Sequence, residues 1–204
     1  IKTGDMGIRG MGYPEDLGGV ETDLYHLIVL HEEFGRTGAG GVSAAMMAHN
    51  IAIPPIIALG HDAMKQKVIP EVISGRKLAS LCITEPSGGS DVANLATRAV
   101  KDGDHYVVNG SKTFITGGVN ADYYTVAVRT GGDGMGGVSL LLIERDTPGF
   151  ERSKLDKMGW HCSDTATLYF DNCRVPVENL IGVENNGFRG IMQNFNAERF
   201  GVAA

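Results

Sequence analysis

From Thr22 to about Thr37 the apolar residues Leu24, Leu27, Ile28, Leu30 and Phe34 recur at helical spacing, which predicts a helix with one apolar face. Thr22 or Asp23 is placed to cap its start, and Gly35 or Gly38 to stop it. Ser43 opens a second apolar segment, AAMMAHNIAI, which Pro54 and Pro55 must interrupt because neither has an N–H to donate. Asp62 can cap a third helix running toward Ile73, with Pro70 kinking or ending it. The first third of the chain therefore reads as helical.

After Arg76 the pattern changes to runs of four to eight residues, rich in Val, Ile, Thr, Tyr and Phe and bounded by turn residues. These are Leu78–Thr84, Thr97–Lys101, Tyr106–Val108, Lys112–Thr116, Tyr123–Arg129, Val138–Glu144 and Thr167–Phe170. Asp102-Gly103-Asp104 and Asn109-Gly110 read as turns, and no helix-length pattern intervenes, so antiparallel hairpins forming a small barrel or sandwich are expected. From Gly187 helical periodicity returns through Phe188, Ile191, Met192, Phe195 and Val202, and Ala204 falls inside that pattern, so further helical structure is expected beyond it. The expected architecture is α+β and multidomain. Residues 1–78 form a partial N-terminal helical domain, residues 79–185 a middle antiparallel β-barrel-like domain, and residues 186–204 the start of a truncated C-terminal helical bundle.

The 204 residues are 43% hydrophobic and 21% charged, the balance of a globular chain that can bury a core. A formal net charge of -6 lacks the basic footprint of a nucleic-acid binder. The longest apolar run, VSLLLI at Val138–Ile143, is far below the ~20 residues needed to span a bilayer as a helix. Cys82, Cys162 and Cys173 are odd in number and show no C-x-x-C spacing, which argues against a disulfide framework or zinc site and fits a reducing compartment.

Gly132, Gly134 and Gly137 satisfy G-x-G-x-x-G, but both flanks read as strands where a dinucleotide fingerprint needs a helix after it, so a hairpin tip is expected. The histidines are scattered; His26 and His31 are five apart and leave different sides of a helix. No metal site is expected, and His49, His105 and His161 are each expected in solvated or core-edge positions.

Leu81–Asp91, LCITEPSGGSD, runs from a strand into a glycine-containing loop. Thr84 and Ser90 offer hydroxyls there, and Gly88 and Gly89 leave the backbone approachable by a flat polar ligand. On the residues alone a cofactor loop and an ordinary strand-to-turn connection are equally good readings. CITEPSGGSD, however, matches the first signature of the acyl-CoA dehydrogenases: small, aliphatic, hydroxyl, Glu, two free positions, small, Gly, hydroxyl, Asp. Asn94 departs from the Gly, Ser or Ala that the pattern prefers. GYPEDLGG from Gly12, NGSKTFITGG from Asn109, GWHCSDTATLYFDNCRVP from Gly159 and NLIGVENNGF from Asn179 also resemble that family in order and spacing.

The resemblance implies FAD bound in a cleft between domains, usually in a homotetramer. Leu81, Ile83 and Thr84 would line the isoalloxazine, and Gly89 and Ser90 would reach the flavin or the pantetheine. Phe114 stands where some relatives carry Trp, beside the ring system, Ile115 follows it on the same flavin-contacting strand, and Thr116 would hydrogen-bond near flavin N5. The family's reaction removes an α proton and a β hydride from an acyl-CoA thioester, giving the trans-2-enoyl-CoA, and passes electrons to an electron-transferring flavoprotein.

That chemistry needs a carboxylate base, which relatives carry either late in the C-terminal domain or early in its first helices, followed directly by Arg. Glu198-Arg199 fits the second placement, as in the long-chain and isovaleryl branches. With Ile191, Phe195 and Val202 it is spaced on an apolar helical stripe, where desolvation would strengthen a base. The bland reading is a packing ion pair, although Glu198 and Arg199, being adjacent, do not face each other on a helix. Asn196 and Arg199 would then lie beside the bound thioester. The function expected from the resemblance is FAD-dependent acyl-CoA dehydrogenation, with the chain alone inactive and located in the cytoplasm of a bacterium or the mitochondrial matrix of a eukaryote. An oxygen-using acyl-CoA oxidase and a noncatalytic acyl-CoA or flavin-binding module are the alternatives.

Overall fold

The computed structural model describes residues 1–192 and 195. The helical part comprises α1 (Lys2–Asp5), α2 (Leu24–Arg36), α3 (Gly40–Met47), α4 (His49–Ala52), α5 (Pro54–Leu59) and α6 (Asp62–Ile73). The β part comprises β1 (Ala79–Cys82), β2 (Arg98–Asp102), β3 (His105–Thr116), β4 (Tyr123–Arg129), β5 (Val138–Glu144), β6 (Phe150–Lys154), β7 (Thr165–Pro176) and β8 (Leu180–Ile181). Residues 187–192 are again helical.

Asp23 caps α2 by accepting the His26 N–H at 3.1 Å, satisfying one donor that the first turn leaves free. Pro54 and Pro55 do more than interrupt the second apolar segment: they begin α5, where the N–H that proline lacks would have no partner anyway. At α6 the cap is His61, whose Nδ1 accepts the Met64 N–H at 3.2 Å, and not Asp62, which lies in the first turn. His49 corrects the expectation of a solvated or core-edge histidine. It is 1% exposed, its ring nitrogens lie 2.8 Å from the Arg9 carbonyl and 3.1 Å from the Met46 carbonyl, and burial beside the Arg9 cation lowers its pKa to about 4.

The strands run in the order β6-β7-β3-β2-β4-β5-β8, with β1 joined to β4. The β2–β3 hairpin turns at Asp102-Gly103-Asp104 as expected, and β4 and β5 pair antiparallel from Tyr123↔Glu144 to Arg129↔Val138, placing Gly132–Gly137 at a hairpin tip. Asn109-Gly110 is not a turn. β3 runs straight through it, because Gly110 at φ +146 opens the space in which Thr97 packs, with a Thr97 Oγ1 only 2.7 Å from where a Cβ would stand.

Pairing is not all antiparallel. β1 lies parallel to β4 through Ala79↔Tyr123 to Cys82↔Val126, and β2 meets the same strand in parallel at Arg98↔Arg129. Parallel neighbours need a long connection, which between β2 and β4 is β3 and between β1 and β4 is the whole segment 83–122 with the β2–β3 hairpin, rather than an α-helix.

β4 is buried at every one of its seven positions because it separates two cores. Tyr123 and Ala127 face a core shared with Ile53, Ile56, Ile69 and Val72 of the helices, whereas Tyr124, Val126 and Val128 face a second one closed by Leu168, Phe170 and Val175 of β7. Period-two alternation sorts β5 likewise, Leu140 and Leu142 to the first core and Leu141 and Ile143 to the second.

Replacing Gly110 by Ala is expected to cost at least about 2 kcal/mol, since the methyl group meets Thr97 backbone and side chain. Gly103, at φ +63 in the left-handed region, has nothing within 4 Å, and Gly103→Ala is expected to cost only about 1 kcal/mol from backbone strain. Chemical denaturation of both variants checks the ordering.

Candidate functional site where strands β1 and β3 meet

β1 and β2 pair with the same strand, and the residues between them make an excursion that leaves the sheet at Ile83 and returns at Thr97. It begins with a tight turn in which Glu85 and Gly88 exchange backbone hydrogen bonds of 3.0 Å. The end of β3 comes alongside its base. The Thr113 N–H donates to the Thr84 carbonyl at 2.8 Å, and the Ser80 hydroxyl donates to the Thr116 carbonyl at 2.8 Å.

These contacts bring Thr84 and Thr116, 32 positions apart, to one seam. Both are half-buried. Leu81 is half-buried and packs against the helix-side core, to which the buried Ile83 belongs. Gly89 and Ser90 are exposed on the excursion. Ile115 is 2% exposed within the second core, so its backbone is what it can offer a ligand outside. Asn94 is exposed at the end of a short 3-10 turn, which accommodates a side chain larger than the signature prefers. Glu198, Asn196 and Arg199 lie outside the described residues.

Phe114 is the unusual member. The β3–β7 register breaks between Lys112 and Ile115, and within that break Phe114 adopts φ +58 with 64% of its surface exposed. A bulky residue in the left-handed region costs roughly 1–3 kcal/mol, and such strain gathers where a side chain must be aimed. Here it leaves an aromatic side chain exposed near the end of the strand that carries Thr116.

Beneath the seam lies a buried ion pair that the motif reading missed. Lys112 is fully buried and its Nζ stands 2.8 Å from Glu85 Oε1, itself inside the protein. The same ammonium donates to the Ile83 carbonyl at 3.1 Å, and the Glu85 carboxylate accepts the Ala96 and Thr97 N–H groups at 2.6 and 2.9 Å. Burial would raise the Glu85 pKa, but the Lys112 charge and these donors hold it below the usual carboxylate range. Burial also draws the Lys112 pKa down against the pull of Glu85. One signal for Lys112 was present in the sequence: it shares its parity with Tyr106 and Val108, the inward face of β3. Arg129 supports the far side of the excursion by donating to the Leu95 and Ala93 carbonyls at 2.9 and 2.7 Å.

The seam is an open face rather than a cavity. A hollow of about 150 Å³ near it, lined by Arg9, His49, Leu78, Gly117 and Asp164 among others, has the capacity of a few waters and not of a tricyclic ring. Neutral hydroxyls, backbone groups and an exposed aromatic face suit a flat heterocycle bearing nitrogen and carbonyl groups. Gly88 has nothing within 4 Å of a built Cβ, so the backbone there is approachable. Among the described residues no cluster of three or more His, Cys, Asp or Glu side chains could hold a metal ion, and no single helix is long and apolar enough to cross a membrane.

Comparison with known proteins identifies the family. Residues 2–76 match the acyl-CoA dehydrogenase N-terminal domain and residues 80–173 the acyl-CoA dehydrogenase middle domain. The chain is 40% identical over 202 residues to the mitochondrial isobutyryl-CoA dehydrogenase of Dictyostelium discoideum, covering 98% of this chain and 48% of the relative. It is 39% identical over 206 residues to an acyl-CoA dehydrogenase of Bacillus subtilis, covering 100% of this chain and 54% of the relative. A crystal structure of a probable acyl-CoA dehydrogenase from Mycobacterium abscessus superposes with a TM-score of 0.96 at 52% identity, over 99% of this chain and 54% of that one. The chain thus spans about half the length of the relatives it matches. Two consecutive domain matches and the helical-then-β architecture place it in the acyl-CoA dehydrogenase family.

Proposed function

We propose that the whole protein dehydrogenates an acyl-CoA thioester to the trans-2-enoyl-CoA, using FAD held on the seam between β1 and β3. The observation that carries this reading is the β1–β3 seam itself: the Thr113 to Thr84 and Ser80 to Thr116 hydrogen bonds bring the half-buried Thr84 and Thr116 to it, and Phe114 is exposed on the same strand end. Thr84 and Thr116 would orient the ring by hydrogen bonds, and Phe114 would shield one edge of it from water. Gly89 and Ser90 would approach the flavin or the pantetheine of the thioester. When bound, FAD supplies the acceptor for the hydride leaving the β carbon.

Removal of the α proton falls to Glu198 in this reading, with Asn196 and Arg199 beside the thioester. A thioester α proton is weakly acidic, so a base kept from water serves better than a solvated one. Glu198 is spaced on an apolar stripe with Ile191 and Phe195, both of which belong to or pack against the helix-side core. An electron-transferring flavoprotein is the proposed acceptor and a homotetramer the proposed assembly, both on family resemblance. The oxidase alternative requires rapid H2O2 formation without an added acceptor.

Two substitutions in the full-length protein test this assignment. Glu198→Gln is expected to keep bound FAD and acyl-CoA affinity while slowing flavin reduction at least ~10²-fold, the lower bound for loss of a general base. Stopped-flow reduction near the wild-type rate would return Glu198 to a packing role and place the base elsewhere. Thr116→Val removes a hydroxyl whose loss costs ~1–3 kcal/mol if its acceptor stays buried. Slower reduction at nearly normal flavin content is expected; unchanged kinetics would remove Thr116 from the site.

A further inference from the structure

The excursion from Ile83 to Thr97 carries Gly89 and Ser90, and its two ends rest on one edge of β4 only a few residues apart, at Val126 and at Arg129. A loop of that length with a narrow neck has many conformations unless something closes the neck. Glu85 closes it. From the outgoing limb its carboxylate reaches the Ala96 and Thr97 amides of the returning limb, 11 and 12 residues on. Lys112 then ties the neck to β3 through Glu85 Oε1 and the Ile83 carbonyl. Immediately after Lys112 the strand leaves its β7 register, gives the Thr113 N–H to Thr84 and turns Phe114 into the left-handed region. Thus one pair of charges is bonded into all three segments that make the seam.

Burying two ions is not the cheapest way to fill this space, since a well-packed apolar pair is often as stable or more so. An apolar pair, however, could not accept two amides from one limb while donating to a carbonyl of the other. We propose that Glu85 and Lys112 are positioning residues for the flavin site, acting through Thr84 and Phe114 and touching neither FAD nor substrate. Both side chains are covered by protein, so direct contact is closed to them. The inference rests on the flavin reading above, and its test separates the two.

The test compares full-length wild-type protein with the double variant Glu85→Gln/Lys112→Met, which removes both charges together and leaves neither ion unpaired. The variant is expected to keep its far-UV circular dichroism and, as apo-protein, a melting midpoint close to wild type. Its affinity for FAD is expected to fall about tenfold or more, the scale of one misplaced hydrogen bond, with a changed visible circular dichroism band of the bound flavin. A role confined to stability would lower the midpoint and leave affinity and band alone. That result in a folded variant overturns the proposal.

If the double variant does not fold, Lys112→Arg takes its place. It keeps the charge but exchanges a compact ammonium for a planar fork, and the same loss of affinity and altered band are expected. In wild-type apo-protein, amide exchange supplies an independent readout. Ala96, Thr97 and Thr113 should open together, and protection factors differing by more than about tenfold among them would contradict a common clamp. Wild-type protein that takes up no FAD would end the flavin reading, while the exchange result would still decide whether the pair ties the three segments.

Discussion

A single strand buried on both faces organises the molecule. β4 has helices against one side and the β-enclosed core against the other, and its seven residues are all inaccessible to water. A strand so placed has both pairing edges committed. One holds β5 along its full length, and the other is shared end to end by β1 and β2. Two strands placed in succession on one edge force the chain between them out of the sheet. The signature loop exists because of that constraint, and the candidate site sits where the loop departs.

Strain and close packing meet at the same place. Phe114 is strained and exposed, whereas Ile115 beside it is packed into the second core and Lys112 before it is bonded on the buried side. The surrounding packing holds the unfavourable backbone in place, which is how a strained residue persists. Linkage gives the clamp a pH range. Glu85 titrates below its unfolded value, so its contribution is intact above an unfolded carboxylate pKa of about 4.3 and is lost as pH falls through the lower folded value.

The parts legible in the sequence are those with a local cause. β4 and β5 have the expected ends because an apolar run stops at Arg129 and Glu144, and α2 follows its periodicity from an Asp cap. The hydroxyls of Thr84 and Ser90 were visible through their motif. β6 was not, since within FERSK only Phe150 is buried and no alternation marks a strand. Asn-Gly is a strong hairpin signal in general, yet at Asn109-Gly110 the glycine serves the approach of Thr97, a contact between residues 13 apart. The Glu85–Lys112 pair joins positions 27 apart, and nothing adjacent to either residue announces the other. His61 took the cap from Asp62 for a reason of backbone geometry: it is His61 that has the extended conformation, φ -75 and ψ 159, of an N-cap residue.

The proposed role of the face built by β1 and β3 is flavin-dependent oxidation of an acyl thioester. Anaerobic titration of the full-length protein with a panel of straight and branched acyl-CoAs tests it most directly, by following the oxidised flavin absorbance. Stoichiometric bound FAD is expected, with a band that bleaches with at least one acyl-CoA and does not bleach with free CoA. A folded protein that binds FAD yet stays oxidised with every thioester in the panel, or that binds no FAD, would contradict it.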